Sequence, residues 1–169
     1  MSISQTSVLS GARGRLLDFS IPFRFFLAAG FYHLFFWCYF LVNASALPAY
    51  QGGPGPVLTG IHLLTLGVLV MTAIGAALQL LSVATMQAFQ ALWLCRLISW
   101  LMIPGVAVLA YGMFSLDYYA LLIGAVMVAL ALIIFSALII SNLASAPGIG
   151  IVTAYSWVSI SSLILIVLF

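Results

Sequence analysis

The chain has 169 residues, 66% hydrophobic and only 4% charged, with Lys+Arg 4, Asp+Glu 2 and a net charge of +2. Ordinary soluble domains are about 25% charged, so this composition excludes one and makes the bilayer the solvent. A spanning helix takes roughly 20 apolar residues, which leaves room for no extramembrane domain. Three of the four arginines, Arg13, Arg15 and Arg24, sit near the N-terminus, so there is no basic patch to bind nucleic acid.

Runs long enough to span, bounded by Gly, Pro, Asn or charge, predict an all-α, polytopic transmembrane helix bundle of about five spans. A cytoplasmic N-terminal segment, 1–20, precedes a bundle over 21–169. The spans are expected at about 21–42, 57–83, 91–114, 118–140 and 149–169. Membrane strands would alternate in polarity over about ten residues, whereas these runs are twice that length and apolar all round. The longest connection, Asn43 to Pro56, carries Pro48, Gly52, Gly53, Pro54 and Gly55, which is turn chemistry. The other connections are short, so neighbouring helices should pack antiparallel.

The arginines orient the bundle. With a cytoplasmic N-terminus, Arg13, Arg15, Arg24 and Arg96 all fall at or near the cytoplasmic side, as the positive-inside rule requires, and Asp117 faces outward. The location expected is a cell membrane, the bacterial inner membrane, crossed several times. Ile164 to Phe169 is all apolar, which suggests that other protein covers this end or that the sequence is the front of a longer chain. Ala44-Ser45-Ala46 has the form of a signal-peptide cleavage site, but the preceding run of about 20 residues exceeds the usual 7 to 15. The first helix is therefore read as retained.

Few residues can carry chemistry. There is no carboxylate pair, no Cys-x-x-Cys, no His-x-x-x-His and no phosphate-cradling glycine loop, so hydrolysis and nucleotide chemistry have no support. Ionisable groups inside spans point by default to function, and here they are His33, His62 and Arg96. A neutral imidazole in a membrane can ligate haem iron, relay protons or bond a neighbouring helix. Thr59 and Thr65 lie within a turn of His62, and Leu58, Leu66, Leu69 and Ala73 continue its face. The opposite face gathers Gly60, Gly67, Met71, Gly75 and Ser82, flanked by Thr72 and Gln79, so the second helix is expected to be buried on both sides.

His33 stands among Phe26, Ala29, Gly30, Trp37 and Phe40, an aromatic setting for a ring system or a lipid tail. Arg24 is expected to snorkel to headgroups. Arg96 either does the same or pairs with a carboxylate such as a haem propionate, although the topology puts it on the side opposite His62. Cys38 and Cys95 read as apolar fillers. Pro104-Gly105 should kink the third helix.

The stretch Gly60-Ile61-His62-Leu63-Leu64-Thr65-Leu66-Gly67, continuing through Met71 and Gly75-Ala76-Ala77-Leu78-Gln79-Leu80-Leu81, resembles the second helix of proteins related to subunit I of the haem-copper oxidases. The resemblance is to divergent bacterial relatives and to the nitric-oxide-response (NnrS-like) membrane proteins. It covers about residues 20–85. It implies a b-type haem with His62 as an axial ligand of the iron, for electron transfer or gas response. The second ligand would come from His33, from another copy of the chain or from sequence absent here. Ser82 stands where such relatives often carry proline. The oxidase core has about twelve helices, and its copper-binding histidines have no counterpart here, so this chain lacks a complete catalytic site. Missing C-terminal helices, other membrane subunits or a homo-oligomer are the expected partners, beside the lipid bilayer itself. The rival reading is a cofactor-free membrane subunit, scaffold or transporter half.

Overall fold

The computed structural model describes residues 17–85, 87–89, 91–146 and 150–168. It is a helical bundle, with no strand among the described residues. Helix α1 covers Ser20–Asn43 and is prolonged by one 3-10 turn, Ala44–Ala46. It is followed by α2 (Pro56–Ala84), α3 (Leu92–Ser115), α4 (Tyr118–Ala144) and α5 (Gly150–Leu168). The first four are long and apolar enough to cross a membrane; the described apolar part of α5, Ala154–Leu165, is shorter. Most of the expected N-terminal segment, with Arg13 and Arg15, lies outside the described residues, as do residues 149 and 169 of the fifth span.

Local chemistry sets the helix ends. The Asp18 carboxylate accepts from the Ser20 amide at 3.1 Å just ahead of α1. Pro56 opens α2, where its missing N–H costs nothing. Between α3 and α4, Leu116 takes a left-handed conformation at φ 58° and its N–H bonds the Gly112 carbonyl. Asp117 then caps α4 by accepting from Tyr119 and Ala120 amides at 2.9 and 3.3 Å. So short a connection makes α3 and α4 antiparallel. Helix α4 runs to Ala144, four residues past its expected end at 140. Asn142 does not stop it because its amide is satisfied by tertiary partners described below.

Lipid tails are as apolar as leucine, so helices in a membrane associate through close packing rather than through a hydrophobic force. Glycine supplies that packing twice. A Cβ on Gly112 would collide with the backbone of Leu121, and one on Gly124 with the backbone of Leu109, so α3 and α4 meet main chain to main chain. On the other side, Gly60, Gly67 and Gly75 of α2 face Tyr39, Tyr32 and Phe25 of α1. The predicted small-residue face of α2 is this interface: Gly60, Gly67, Met71, Gly75 and Ser82 are all buried. The core formed between the pairs includes Phe25, Met71, Leu78, Ile98, Met102 and Ala131, each fully buried. Helix α5 packs mainly on α4.

A buried polar knot closes the arginine-bearing end. Thr85 Oγ1 lies 2.7 Å from Asn142 Oδ1 and 2.7 Å from the Leu81 carbonyl, and Asn142 Nδ2 donates to the Gln87 carbonyl at 3.1 Å. Among the described residues, Thr85 with Asn142 is the one hydrogen bond between two side chains. It ties the α2–α3 turn to the end of α4.

Two outcomes follow for stability in detergent. Gly124→Val should lower the thermal midpoint by the equivalent of about 1–3 kcal/mol, the usual cost of overpacking. Gly30→Ala, where a Cβ meets nothing within 4 Å, should leave it unchanged or raise it; equal effects of the two would rule out the glycine contact. Asn142→Leu should cost about 1–3 kcal/mol by stranding the Gln87 carbonyl. In a double-mutant cycle with Thr85→Val, a coupling of at least about 0.5 kcal/mol is expected, and simple additivity would show the knot to be inert.

Candidate functional site

His62 stands in the second turn of α2, at the end remote from the arginines. Its Nδ1 is 3.0 Å from the Leu58 carbonyl. A carbonyl only accepts, so Nδ1 carries the proton and, in the neutral ring, Nε2 keeps a lone pair. Thr59 and Thr65 behave alike, donating to the Gly55 and Ile61 carbonyls at 2.9 and 2.8 Å. Thus three polar side chains in succession, at 59, 62 and 65, bond the carbonyl four residues back in their own helix. Of the roles open to a membrane imidazole, a bond to a neighbouring helix is not made by His62 among the described residues.

The helix changes gauge immediately after His62. Leu63–Val70 is π-helical, and the Met71 N–H reaches the Leu66 carbonyl five residues back. The π-helix is rare, is seen mostly as single-turn bulges within α-helices, and is frequent at functional sites. Side-chain bonds to the Leu58 and Ile61 carbonyls compete with the ordinary ladder there, and such back-bonding loosens helices. The sequence carries no periodicity that would show this, because all eight residues are compatible with an α-helix.

Gly67, inside the π segment, makes room for Tyr32. A Cβ at Gly67 would sit 2.7 Å from the tyrosine ring. Across that surface the Tyr32 hydroxyl donates to the Ile103 carbonyl of α3 at 2.5 Å, one residue before Pro104. Helix α3 continues through Pro104. Sequence reasoning passed over Tyr32, although a tyrosine in mid-span needs a polar partner when buried. The same signal marks Tyr39, which donates to the Pro56 carbonyl at 2.9 Å and pins the start of α2 to α1.

The flank of His62 is only partly covered. Leu58, His62 and Leu66 are half-buried, while Leu69 and Ala73 are exposed. The expectation of burial on both sides of α2 is therefore corrected: α1 buries the glycine side, and the histidine side opens outward within this chain. His62 lies two residues past Gly60, hence on the opposite side of the helix from α1. His33 is on α1 and exposed, its ring 6.3 Å from that of Trp37. The structure does not bring the two histidines together. Cys38 is exposed and Cys95 buried, both as free thiols. Among the described residues, no three of His, Cys, Asp and Glu cluster to hold a metal.

Among the described residues, cavities open at several places in the bundle, three of which bear on the site. One of about 960 Å³ runs between α1 and α3, from Arg24 to Phe114. A second, of about 620 Å³, lies between α2, α4 and α5 and includes Ala73, Tyr155 and Ser159. A third, of about 230 Å³, sits between Phe40 and Gly60. Neither histidine lines any of them. Arg96, exposed near the start of α3, is at the opposite end of the bundle from His62.

Comparison with protein-family models, with curated proteins and with solved structures finds no match to this chain.

The geometry ranks two substitutions. His62→Ala forfeits one bond within its own helix and should cost about 0.5–1.5 kcal/mol. Tyr32→Ala removes an interhelical bond and opens a void over Gly67, so a loss of about 3–5 kcal/mol is expected. Thermal unfolding of both in one detergent checks the order; the reverse order would make His62 a packing residue.

Proposed function

We propose that this chain is a multi-pass protein of the bacterial inner membrane in which His62 is an axial ligand of a b-type haem. One observation carries the reading: the Nδ1–H of His62 is held by the Leu58 carbonyl, which leaves Nε2 free to donate a lone pair on an open apolar flank. Ligating histidines almost always donate their other N–H to a carbonyl or carboxylate, which fixes the tautomer and the ring. Leu66 and Leu69 offer the apolar surface that a flat macrocycle packs against, and among the described residues no helix covers Leu69. The residues therefore suit the group. When bound, a b-type haem supplies one-electron transfer or binds a diatomic gas.

The chain's own residues orient and shield. Leu58 sets the imidazole, and Thr59 and Thr65 donate to the Gly55 and Ile61 carbonyls on either side of it. The second axial ligand would come from outside the described bundle, from another copy of the chain, further helices or another subunit, because His33 is exposed on α1 and is not brought to His62. The role proposed for His62 is to bind or relay, since the sequence holds no complete catalytic site of the oxidase kind. The open flank of Leu69 equally favours a cofactor-free subunit whose partner helix covers it.

A reduced-minus-oxidised spectrum separates the two. Purified from membranes supplied with haem, the native chain should show a b-type signal, lost in His62→Ala and kept in His33→Ala. Imidazole added to His62→Gly should restore part of it. No signal in the native chain, or an undiminished one in His62→Ala, would sink the ligand assignment.

A further inference from the structure

The groove between α1 and α3 has a charged end that the haem reading leaves unused. Helices α1 and α3 both start at the arginine end, and the Tyr32 to Ile103 bond fixes their relative height. Arg24 is eight residues before Tyr32, and Arg96 seven before Ile103. At 1.5 Å per residue the two arginines lie about 12 and 10.5 Å below that bond, level to within about 1.5 Å. Arg24 lines the groove directly with Leu27 and Phe31. Arg96 lies below the α3 residues that line it, on the same face of α3 as Ile103, Ala107 and Phe114 by the helical period.

Above the arginines the groove is mostly apolar, about 960 Å³ in volume, walled by α1 as far as Asn43, by α3 from Ile103 to Phe114, and by Leu63 of α2. Pockets for drug-sized ligands run from roughly 300 to 1,000 Å³, so an acyl chain fits. No carboxylate lines the groove. The N-termini of α1 and α3 add their positive dipole ends at the same level. A body that is apolar along its length and anionic at one end matches this arrangement, and the positive-inside rule puts that end at the cytoplasmic leaflet.

We propose that the α1–α3 groove holds one anionic phospholipid of the cytoplasmic leaflet, its phosphate between Arg24 and Arg96 and an acyl chain along Phe31 and Ala107. Both arginines then act as a pair: each supplies a planar, permanently charged donor set suited to phosphate oxygens. The groove is on a different face from His62, so this site stands or falls independently of the haem.

The test is lipid retention. The full chain is equilibrated in mixed vesicles of phosphatidylglycerol and phosphatidylcholine, extracted in mild detergent and weighed with its bound lipid by native mass spectrometry. The native chain should retain one phosphatidylglycerol in at least about tenfold preference over phosphatidylcholine, a ratio equivalent to 1.4 kcal/mol. Arg24→Gln and Arg96→Gln should each reduce the preference, and together abolish it, while Arg24→Lys with Arg96→Lys should keep most of it. Ala107→Phe, which fills the groove and leaves both charges, should displace the lipid. Equal retention of the two lipids by the native chain, or native selectivity in the double Gln variant, would overturn the proposal. So would retention unchanged in Ala107→Phe.

Discussion

The bond from Tyr32 to the Ile103 carbonyl, made across the bare surface of Gly67, is the contact on which the arrangement of the first three helices rests. Hydrocarbon offers no partner to a phenol, so the hydroxyl must find one in protein, and unlike apolar contacts it accepts only one height. With it, α1 lies flat on α2 and is fixed in register against α3. Replace Gly67 by any larger residue and the ring is pushed away from both. Helix α4 then joins α3 through Gly112 of α3 and Gly124 of α4, whose contacts across the pair are equally intolerant of a Cβ, and α5 is added against α4. The bundle is thus a chain of close approaches, each made possible by a missing side chain.

What the sequence discloses about this follows from which signals are local. The helices are legible because a run of about 20 apolar residues has one solution in a bilayer, and the observed ends differ from expectation by at most four residues. The glycine face of α2 is legible too, since Gly60, Gly67 and Gly75 repeat close to the helical period. Gly112 and Gly124 carry the same chemistry but pair across a turn, and neither shows its role without the other helix. Thr85 and Asn142 are 57 residues apart, so nothing local joins them. Asn142 reads as a stop signal when it is in fact a tether that lets α4 continue.

At the candidate site the legible part is the identity of His62 and the apolar residues beside it. The i to i−4 bonds of Thr59, His62 and Thr65 could have been foreseen from spacing alone, because a donor in mid-helix has its own carbonyls within reach. The π segment could not. It arises where side-chain bonds to carbonyls meet a bulky tyrosine from the next helix, and both conditions are tertiary. His33 shows the converse. Its aromatic neighbours in sequence read as a setting for a ring system or a lipid tail, and in the structure His33 is exposed, because α1 is committed to α2 through residues such as Phe25, Tyr32 and Phe36.

The polar side chains divide by what they bond, and the division bears on His62. Tyr32 and Asn142 reach groups far along the chain, and Tyr39 pins the turn into α2; each has an evident structural task. His62 bonds only its own helix. An alanine there would leave the Leu58 carbonyl its ladder partner and would spare the bundle an ionisable group in apolar surroundings. Packing gives no reason for an imidazole at this position, and neither does helix propensity, which ranks histidine well below alanine. The remaining property is chemical: the bond to the Leu58 carbonyl fixes the tautomer of the neutral ring and leaves Nε2 unbonded among the described residues, and the proposed ligand role rests on that nitrogen.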